Sequence, residues 1–272
     1  HFMSTDNHLI EDNIFRHNSV GIYLMYGNNY TIRGNLLLDS RGPSGYALGL
    51  KEINNGLFEG NHLINNRVGV YTDSSPIRPD GEVEFTRNLF AYNDIGLLML
   101  PNTHRNRYHE NVFLENGEQI AIAGEGELTE NEWAVDGRGN YWSDYAGYDA
   151  NRDGVGDLPY AAKSLYEQMM DKYPELRLFQ LSPAADALDL AAKAFPIFQP
   201  QPKMADPNPL TEPPALPPVR GVPQPPVAQN LLAALGLLAL AGVILALGLG
   251  ASWGRRAAPQ GGQPRRGLET LG

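Results

Sequence analysis

The stretches FEGNHLINNRVGVY (residues 58–71) and FTRNLFAYNDIGLL (residues 85–98) carry the same pattern 27 residues apart. In each, an aromatic residue is followed by Asn after three positions, by a second Asn after five more, and then by Gly within an alternating apolar run. A repeat of this length is typical of a solenoid, because a single repeat cannot bury its apolar face alone. This pattern therefore decides the prediction of the fold.

The first Asn of the pattern recurs along the chain at intervals of 22, 26, 27, 23 and 20 residues, as Asn13, Asn35, Asn61, Asn88, Asn111 and Asn131. Period-2 alternation around these positions predicts short strands with one set of side chains pointing inward. Stacked turns would place equivalent asparagines about 4.8 Å apart, close enough for a ladder of amide hydrogen bonds. We expect these asparagines to be structural corners with left-handed backbone rather than ligands.

The predicted fold is an all-β, right-handed parallel β-helix over residues 1–138, with loops protruding near residues 41–44 and 72–81. Residues 139–195 are predicted to be a C-terminal cap, made of a Gly/Asp-rich loop and two short helices, one from Leu165 to about Lys172 and one from Pro183 to near Phe195. A cap would cover the strand edge at the end of the coil. His1 already lies inside the repeat, so we expect the start of the chain to be a cut.

The rest of the chain predicts a membrane anchor. Residues 196–229 are rich in proline and predict an extended linker without a core. Residues 231–253 carry no charge and are long enough to cross a bilayer as one transmembrane helix. Arginines follow in residues 254–272, which predicts a cytoplasmic tail and an extracytoplasmic coil. Small residues spaced four apart predict a helix-contact face at Gly242, Ala246 and Gly250.

Composition excludes several classes of function. The net charge of −10 argues against a nucleic-acid partner, because phosphate contacts need clustered Lys and Arg. The chain contains no cysteine, which excludes disulfides, cysteine-zinc sites and thiol catalysis in this stretch.

A metal site is suggested by the spacing of Asp149, Asn151, Asp153 and Asp157. Oxygen ligands at loop positions 1, 3, 5 and 9, with Gly154 at position 6, match the first part of a calcium loop. The bidentate Glu of a full EF-hand is absent, so the alternative is a turn whose carboxylates accept hydrogen bonds from backbone amides.

Histidine and methionine are ligands that suit copper, and Met99, His104 and His109 lie near one another in sequence. The other His and Met residues are scattered, so the alternative to a copper site is that these residues have ordinary surface and core roles. Carboxylates that could act on sugars occur among turns and inserts, without a pair of defined separation. We therefore predict no catalytic residue and no enzyme.

Two segments carry a resemblance to a known family. They are GNYWSDYAGYDANRDGVGDLPY (residues 139–160) and KSLYEQMMDKYPELRLFQLSPAADALDLAAKAFPIFQPQPKMADPNPL (residues 163–210). With the Asn/Gly-rich coil before them, they resemble the C-terminal region of the NosD family over roughly residues 1 to 210. The first segment is shared with other β-helix surface proteins, whereas the second is much narrower and carries the assignment.

The resemblance implies a non-catalytic periplasmic protein that helps to assemble the copper centres of nitrous oxide reductase. Implied partners are the permease and the cytoplasmic ATPase of an ABC transporter, the reductase itself and a copper chaperone. The implied metal is copper, beside the calcium predicted for the loop. The membrane helix is a departure, since many family members look soluble, and it would tether the coil near the permease.

Two other hypotheses stay open. The fold with its proline-rich stalk and membrane span also fits a cell-surface protein that binds or modifies polysaccharide. The Asp149–Asp157 loop also fits a calcium-dependent structural surface protein.

Overall fold

A computed structural model describes residues 1–101, 103–124, 126–128, 130–162, 165–180, 182–194, 202–219, 235–239 and 241. The chain forms two compact units, His1–Gly221 and Val222–Gly272. The first contains all of the strands given below. In the second, the described residues 235–239 and 241 are helical.

The first unit is a parallel β-solenoid with three sheets, and the chain visits them in the same order on each turn up to residue 122. Sheet A contains β1 (Phe2–Met3), β4 (Val20–Met25), β7 (Tyr46–Lys51), β10 (Val68–Asp73), β13 (Ile95–Met99) and β16 (Glu118–Ile122). Sheet B contains β2 (His8–Glu11), β5 (Asn28–Arg33), β8 (Asn54–Glu59), β11 (Val83–Thr86) and β14 (Asn106–His109). Sheet C contains β3 (Ile14–Arg16), β6 (Leu36–Leu38), β9 (His62–Ile64), β12 (Leu89–Ala91), β15 (Val112–Leu114) and β17 (Tyr141–Trp142). The fold prediction of a parallel β-helix is confirmed.

The core is built from aromatic rings stacked along the coil. Phe58 stacks on Phe85 with ring centroids 4.6 Å apart, and Phe85 stacks on Tyr108 at 5.0 Å. Trp133 continues this column at 4.6 Å from Tyr108. A second column contains Phe90, Phe113, Trp142 and Tyr160. In-register parallel pairing places equivalent residues above one another, so each apolar position of the repeat becomes a continuous stack.

A ladder of asparagine amides runs beside the core. The Nδ2 atom of each member donates to the Oδ1 atom of the next, at 2.9–3.2 Å, through Asn13, Asn35, Asn61, Asn88, Asn111 and Asn140. The same Oδ1 atoms also accept the backbone N–H of the preceding member. Each buried asparagine therefore joins two turns through both side chain and backbone.

Asn131 does not belong to this ladder, and its predicted place was wrong. It instead accepts hydrogen bonds from Asn106, the first residue of β14 in sheet B. The reason is a shift in register: Trp133 stacks over Tyr108, and a turn closed by hydrogen bonds between Val135 and Arg138 follows. These extra residues bring Asn140 under Asn111.

The left-handed corners also differ from the prediction. The residue before each of the first five ladder asparagines has positive φ, and three of these five residues are neither Asn nor Gly: they are Asp12, Gly34, Gly60, Arg87 and Glu110. A left-handed residue turns the chain sharply, and the following asparagine then points its amide along the coil axis. A short polar or charged side chain tolerates this conformation better than a β-branched one.

The C-terminal cap follows the last turn. It contains β18 (Tyr160–Ala162), α1 (Leu165–Lys172), a 3₁₀ helix (Pro174–Phe179), α2 (Pro183–Ala194) and β19 (Met204–Asp206), and β19 pairs antiparallel with β18. The helix bounds agree with those expected from the sequence. The predicted boundary at residue 138 is too early, because β17 still pairs with β15 as part of the coil.

The predicted linker of residues 196–229 is wrong over its middle part. Residues 202–219 are described, and Lys203, Met204, Asp206 and Leu210 are buried against the coil and its cap. Proline removes backbone donors without preventing packing, and here one short strand and several buried side chains fix the segment. The segment is therefore part of the first unit.

The membrane predictions fall mostly outside the described residues. Within the part that is described, we find no helix whose length and hydropathy would suffice to span a bilayer. Of residues 231–253, only 235–239 and 241 are described. The predicted contact face at Gly242, Ala246 and Gly250 and the tail at residues 254–272 lie outside the described residues.

We predict that Asn88→Ala will lower the free energy of unfolding by about 3 kcal/mol or more. The substitution removes the acceptor of Asn61 and the donor to the Phe58 carbonyl, which are buried groups that water cannot reach. Denaturant unfolding followed by circular dichroism measures the loss. Asn13→Ala is the matched control, because Asn13 is exposed in the same ladder and should cost about 1 kcal/mol or less. Equal losses in the two variants would contradict the structural role of the ladder.

Candidate functional site

The outer face of sheet A is apolar and rich in tyrosine. Its outward side chains include Tyr23, Tyr46, Tyr71, Val68, Ile95 and Leu98, which we call the tyrosine face. The rings of Tyr46 and Tyr71 stack with centroids 4.7 Å apart. Burial, with a smaller contribution from Asp73, raises the pKa of Tyr71 to about 12, so its phenol is neutral at physiological pH.

Gly49 makes room for this arrangement. It pairs in register with Tyr23 on one side and with Tyr71 on the other. A Cβ atom at this position would collide with the ring of Tyr23, which lies over the backbone. The glycine therefore keeps the middle of the tyrosine face flat.

A cavity of about 850 Å³ lies at one end of the tyrosine face, between sheet A and the 3₁₀ helix of the cap. Its lining includes Tyr46, Val68, Ile95, Leu98, Arg177 and Gln180. Leu178, which also lines the cavity, is 86% exposed. Aromatic, aliphatic and Arg side chains together are the composition typical of the centre of a protein interface.

Buried charges hold the cap against this end of the coil. Glu118 on β16 has a fully buried side chain and follows the apolar Ile95 in register. Its carboxylate accepts hydrogen bonds from Lys203 Nζ and, at 2.8 Å, from Arg177 Nη2. Lys203 Nζ also lies 2.9 Å from Asp171 Oδ2 and 3.5 Å from Glu167 Oε2. One buried lysine thus joins the last strand of sheet A to α1.

The pKa values in this cluster follow from burial and from the cluster's own charges. Burial raises the pKa of Glu167 to about 8, although Lys203 opposes the shift. Burial also raises the pKa of Asp171. Burial alone would lower the pKa of Lys203, but the carboxylates of Glu118, Glu167 and Asp171 raise it above its usual range. The lysine is therefore charged at physiological pH.

The outer face of sheet B is charged and differs from the tyrosine face. Arg33 donates to Glu11 at 2.8 Å, and Arg107 lies 2.7 Å from Glu82 and 3.1 Å from Glu132. Such partly exposed pairs contribute about 0–1 kcal/mol each to stability. This face is a solvated surface, in contrast to the tyrosine face.

The structure does not bring together Met99, His104 and His109, which the sequence suggested as a copper site. Met99 points into the core, where its sulfur lies 3.9 Å from the Tyr108 hydroxyl. His109 points outward, with Nε2 2.8 Å from Glu84 Oε1. His104 lies in the loop before β14. A side chain in the core of the coil and one on its outer face cannot share one metal ion.

In the predicted calcium loop, the carboxylates face the loop's own backbone. Asp149 accepts hydrogen bonds from the amides of Arg152, Asp153 and Gly154. Asp153 accepts from Val155, and Asp157 accepts from Ala150; Asn151 bonds to Asp153. Among the residues that the structure describes, no three His, Asp or Glu side chains gather as metal ligands would. The calcium site stays a prediction.

Sequence reasoning missed the buried cluster and the tyrosine face. Glu118 did carry a signal, because it is a charged residue where the preceding turns place Tyr46, Val68 and Ile95. Lys203 gave no such signal, because it lies in a proline-rich stretch that predicted no packing. The outward tyrosines could not be told from inward ones until the register was known.

We predict that Glu167→Gln will stabilise the protein progressively, relative to the wild type, as pH rises from 5 to 8. The folded-state pKa of Glu167 lies above its ordinary value of 4.5, so the folded protein holds a proton that the unfolded chain releases. The stability contributed by this group is therefore lost as pH rises towards 8, and glutamine removes that loss. Thermal unfolding at several pH values measures the difference. Glu175→Gln, at an exposed glutamate of the 3₁₀ helix, controls for the loss of one surface charge. A wild-type-minus-variant difference that does not change with pH would contradict the shift.

Known proteins match this chain both over the coil and over most of its length. A family model described as "Periplasmic copper-binding protein (NosD)" matches residues 1–147. A protein of Pseudomonas aeruginosa named "Probable ABC transporter binding protein NosD" is 31% identical over 197 residues, which are 69% of this chain and 44% of the relative. A protein of the same name from Stutzerimonas stutzeri is 32% identical over 195 residues, which are 70% of this chain and 39% of the relative. The chain thus spans about two fifths of the length of these curated relatives. Because the family model matches more than half of the chain, the chain belongs to the NosD family.

Proposed function

We propose that this chain belongs to a non-catalytic scaffold for assembly of the copper centres of nitrous oxide reductase. It would act outside the cytoplasm, together with an ABC transporter. The observation that carries the scaffold role is the tyrosine face with its cavity. Membership of a family described as periplasmic and copper-binding supports the location and the metal.

The coil is suited to present a surface without changing shape. Its turns are joined by backbone pairing, by the asparagine ladder and by stacked rings, so the sheets cannot move independently. Rigid partners lose little conformational entropy on binding. A stiff coil could also transmit a displacement of one partner to another that is bound further along it.

The tyrosine face offers a docking surface on this stiff body. Exposed apolar patches with tyrosine at the centre and charges at the rim are typical of interaction sites. Here the rim carries Arg41, whose Nη1 atom lies 2.7 Å from Asp94 Oδ1, and Arg67, which donates to the Pro43 carbonyl at 2.7 Å. These groups would orient a partner, whereas the tyrosines would supply the buried area.

The proposed partners are the permease and the ATPase of an ABC transporter, nitrous oxide reductase and a copper chaperone. The relatives' printed names support the first of these. The ATPase is cytoplasmic, so its coupling to the coil would pass through the permease. If residues 231–253 form a membrane helix, as the sequence predicts, the coil would be held near the permease at high effective concentration.

We predict that deleting the gene in its native host will leave nitrous oxide reductase without its copper centres. The full-length protein carrying Leu98→Arg should restore copper loading at least tenfold less well than the wild type, because a buried unpaired charge in an interface costs several kcal/mol. Leu57→Arg is the matched control, since Leu57 is a half-buried leucine on the outer face of sheet B.

The measurements are the copper content and the activity of the purified reductase, with immunoblots to show equal amounts of each variant. Restoration by Leu57→Arg but not by Leu98→Arg is the expected result. Fully loaded, active reductase in the deletion strain would refute the proposed function. Equal restoration by both variants would refute docking at the tyrosine face.

A further inference from the structure

A histidine and a methionine that are distant in sequence meet on the outer face of sheet A. His1 Nε2 lies 3.0 Å from Met25 Sδ. Met3 is the register partner of Met25, on the adjacent parallel strand. Phe2, which lies between His1 and Met3, packs against the core, so its two neighbours point outward. Three soft or borderline donor groups therefore lie together on the outer face of sheet A.

The register explains why the donors converge. Met3 and Met25 are 22 residues apart, which is one turn of the coil. Parallel strands lie about 4.8 Å apart, and residues in register project their side chains to the same side. Neither a His-x-His nor a Met-x-x-Met motif marks this site, so the linear sequence does not reveal it. The three side chains become neighbours only when one turn is stacked on the next.

The His1 ring has a fixed position in this group. Its edge meets the face of Tyr23, with ring centroids 5.7 Å apart and planes at 86°. Edge-to-face packing of this kind is worth about 0.5–1.5 kcal/mol and limits rotation of the ring. Nε2, the nitrogen that faces Met25, is a donor atom for a metal when the imidazole is neutral.

The surrounding charges disfavour a hard cation. The register partner of Met25 on β7 is Lys51, and Asp73 is the partner of Lys51 on β10. The Lys51 ammonium lies 3.7 Å from the Asp73 carboxylate. Asp73 is thus engaged by a cation already and stands two strands away from Met25. Calcium and magnesium need several oxygen ligands, which this site does not supply. Thioether sulfur and imidazole nitrogen instead suit Cu(I).

We propose that His1, Met3 and Met25 form a surface binding site for Cu(I). The geometry supplies the soft donor set, whereas the choice of copper among soft metals rests on the proposed function. All three side chains lie on the outer face of the coil, so the ion would be open to solvent and to a docked protein. An exposed site with two thioethers and one imidazole can hand its ion to a partner without local unfolding. We therefore assign it a role in copper transfer rather than storage.

The position of the site agrees with such a role. Tyr23 belongs to the tyrosine face and also contacts His1. A partner that docks on the tyrosine face would therefore cover the Cu(I) ion or lie beside it. The buried Met99, in contrast, has no path to solvent.

The test is an anaerobic titration of the purified full-length protein with Cu(I), in competition with the chromophoric chelator bicinchoninate. We expect one competitive site, which Met25→Leu and Met3→Leu each weaken about tenfold or more, because loss of a direct ligand should cost at least as much as the 10–100-fold typical of second-shell changes. His1→Phe keeps the ring contact with Tyr23 but removes the nitrogen, and it should weaken Cu(I) to a similar extent. Met99→Leu is the matched control and should bind as the wild type does.

X-ray absorption at the copper edge gives a second readout that does not depend on affinity. Sulfur and nitrogen neighbours are expected in the wild type, with less sulfur in Met25→Leu. Unchanged thermal unfolding of the variants would show that the fold persists, since Met25 lies outside the core cluster. Unchanged Cu(I) affinity in Met25→Leu and Met3→Leu would overturn the proposed site.

The two proposals fail separately. If Met25→Leu binds Cu(I) normally while the deletion strain lacks copper-loaded reductase, the site is wrong and the proposed function stands. If Met25→Leu loses Cu(I) while the deletion strain makes fully loaded reductase, the site stands and the proposed function is refuted.

Discussion

The hydrogen bonds between successive turns are the interaction on which the rest of the structure depends. A chain that coils through three short strands per turn leaves its corners without regular pairing, and buried corner groups must find partners elsewhere. The asparagine ladder supplies those partners, because each amide is both donor and acceptor at the inter-strand spacing. The aromatic stacks and the flat tyrosine face follow from the same spacing.

The last asparagine of the ladder also needs a hydrogen-bond acceptor, and the cap provides it. Asn140 Nδ2 and backbone N–H both donate to Asp206 Oδ2, and Trp142 Nε1 donates to the same oxygen at 3.0 Å. Burial raises the pKa of Asp206, whereas these three donors and Asn208 oppose the shift. A segment that looks like a linker thus closes the last turn. Gly139 is required beside it, because a side chain there would collide with the Asp206 carboxylate.

The cap links this structural end to the proposed function. Lys203 and Arg177 donate hydrogen bonds to Glu118 on β16, the edge strand of sheet A next to the cap. The 3₁₀ helix that carries Arg177 lines the cavity. The cavity therefore exists only while the cap is docked. Apolar and tyrosine side chains face outward on sheet A, whereas the outer face of sheet B carries ion pairs. Proteins keep such a face exposed where a partner covers it.

The sequence by itself determined the repeat, the inward apolar positions, five of the six ladder asparagines and the bounds of both cap helices, because each depends on spacing along the chain. Only the tertiary structure decided that Asn140 rather than Asn131 continues the ladder, since a register shift after Trp133 is set by packing on Tyr108. It also decided that Lys203 and Asp206 are buried, and that Met3, Met25 and His1 meet. These contacts join residues that are one or more turns apart, and the way in which the turns stack decides which residues meet.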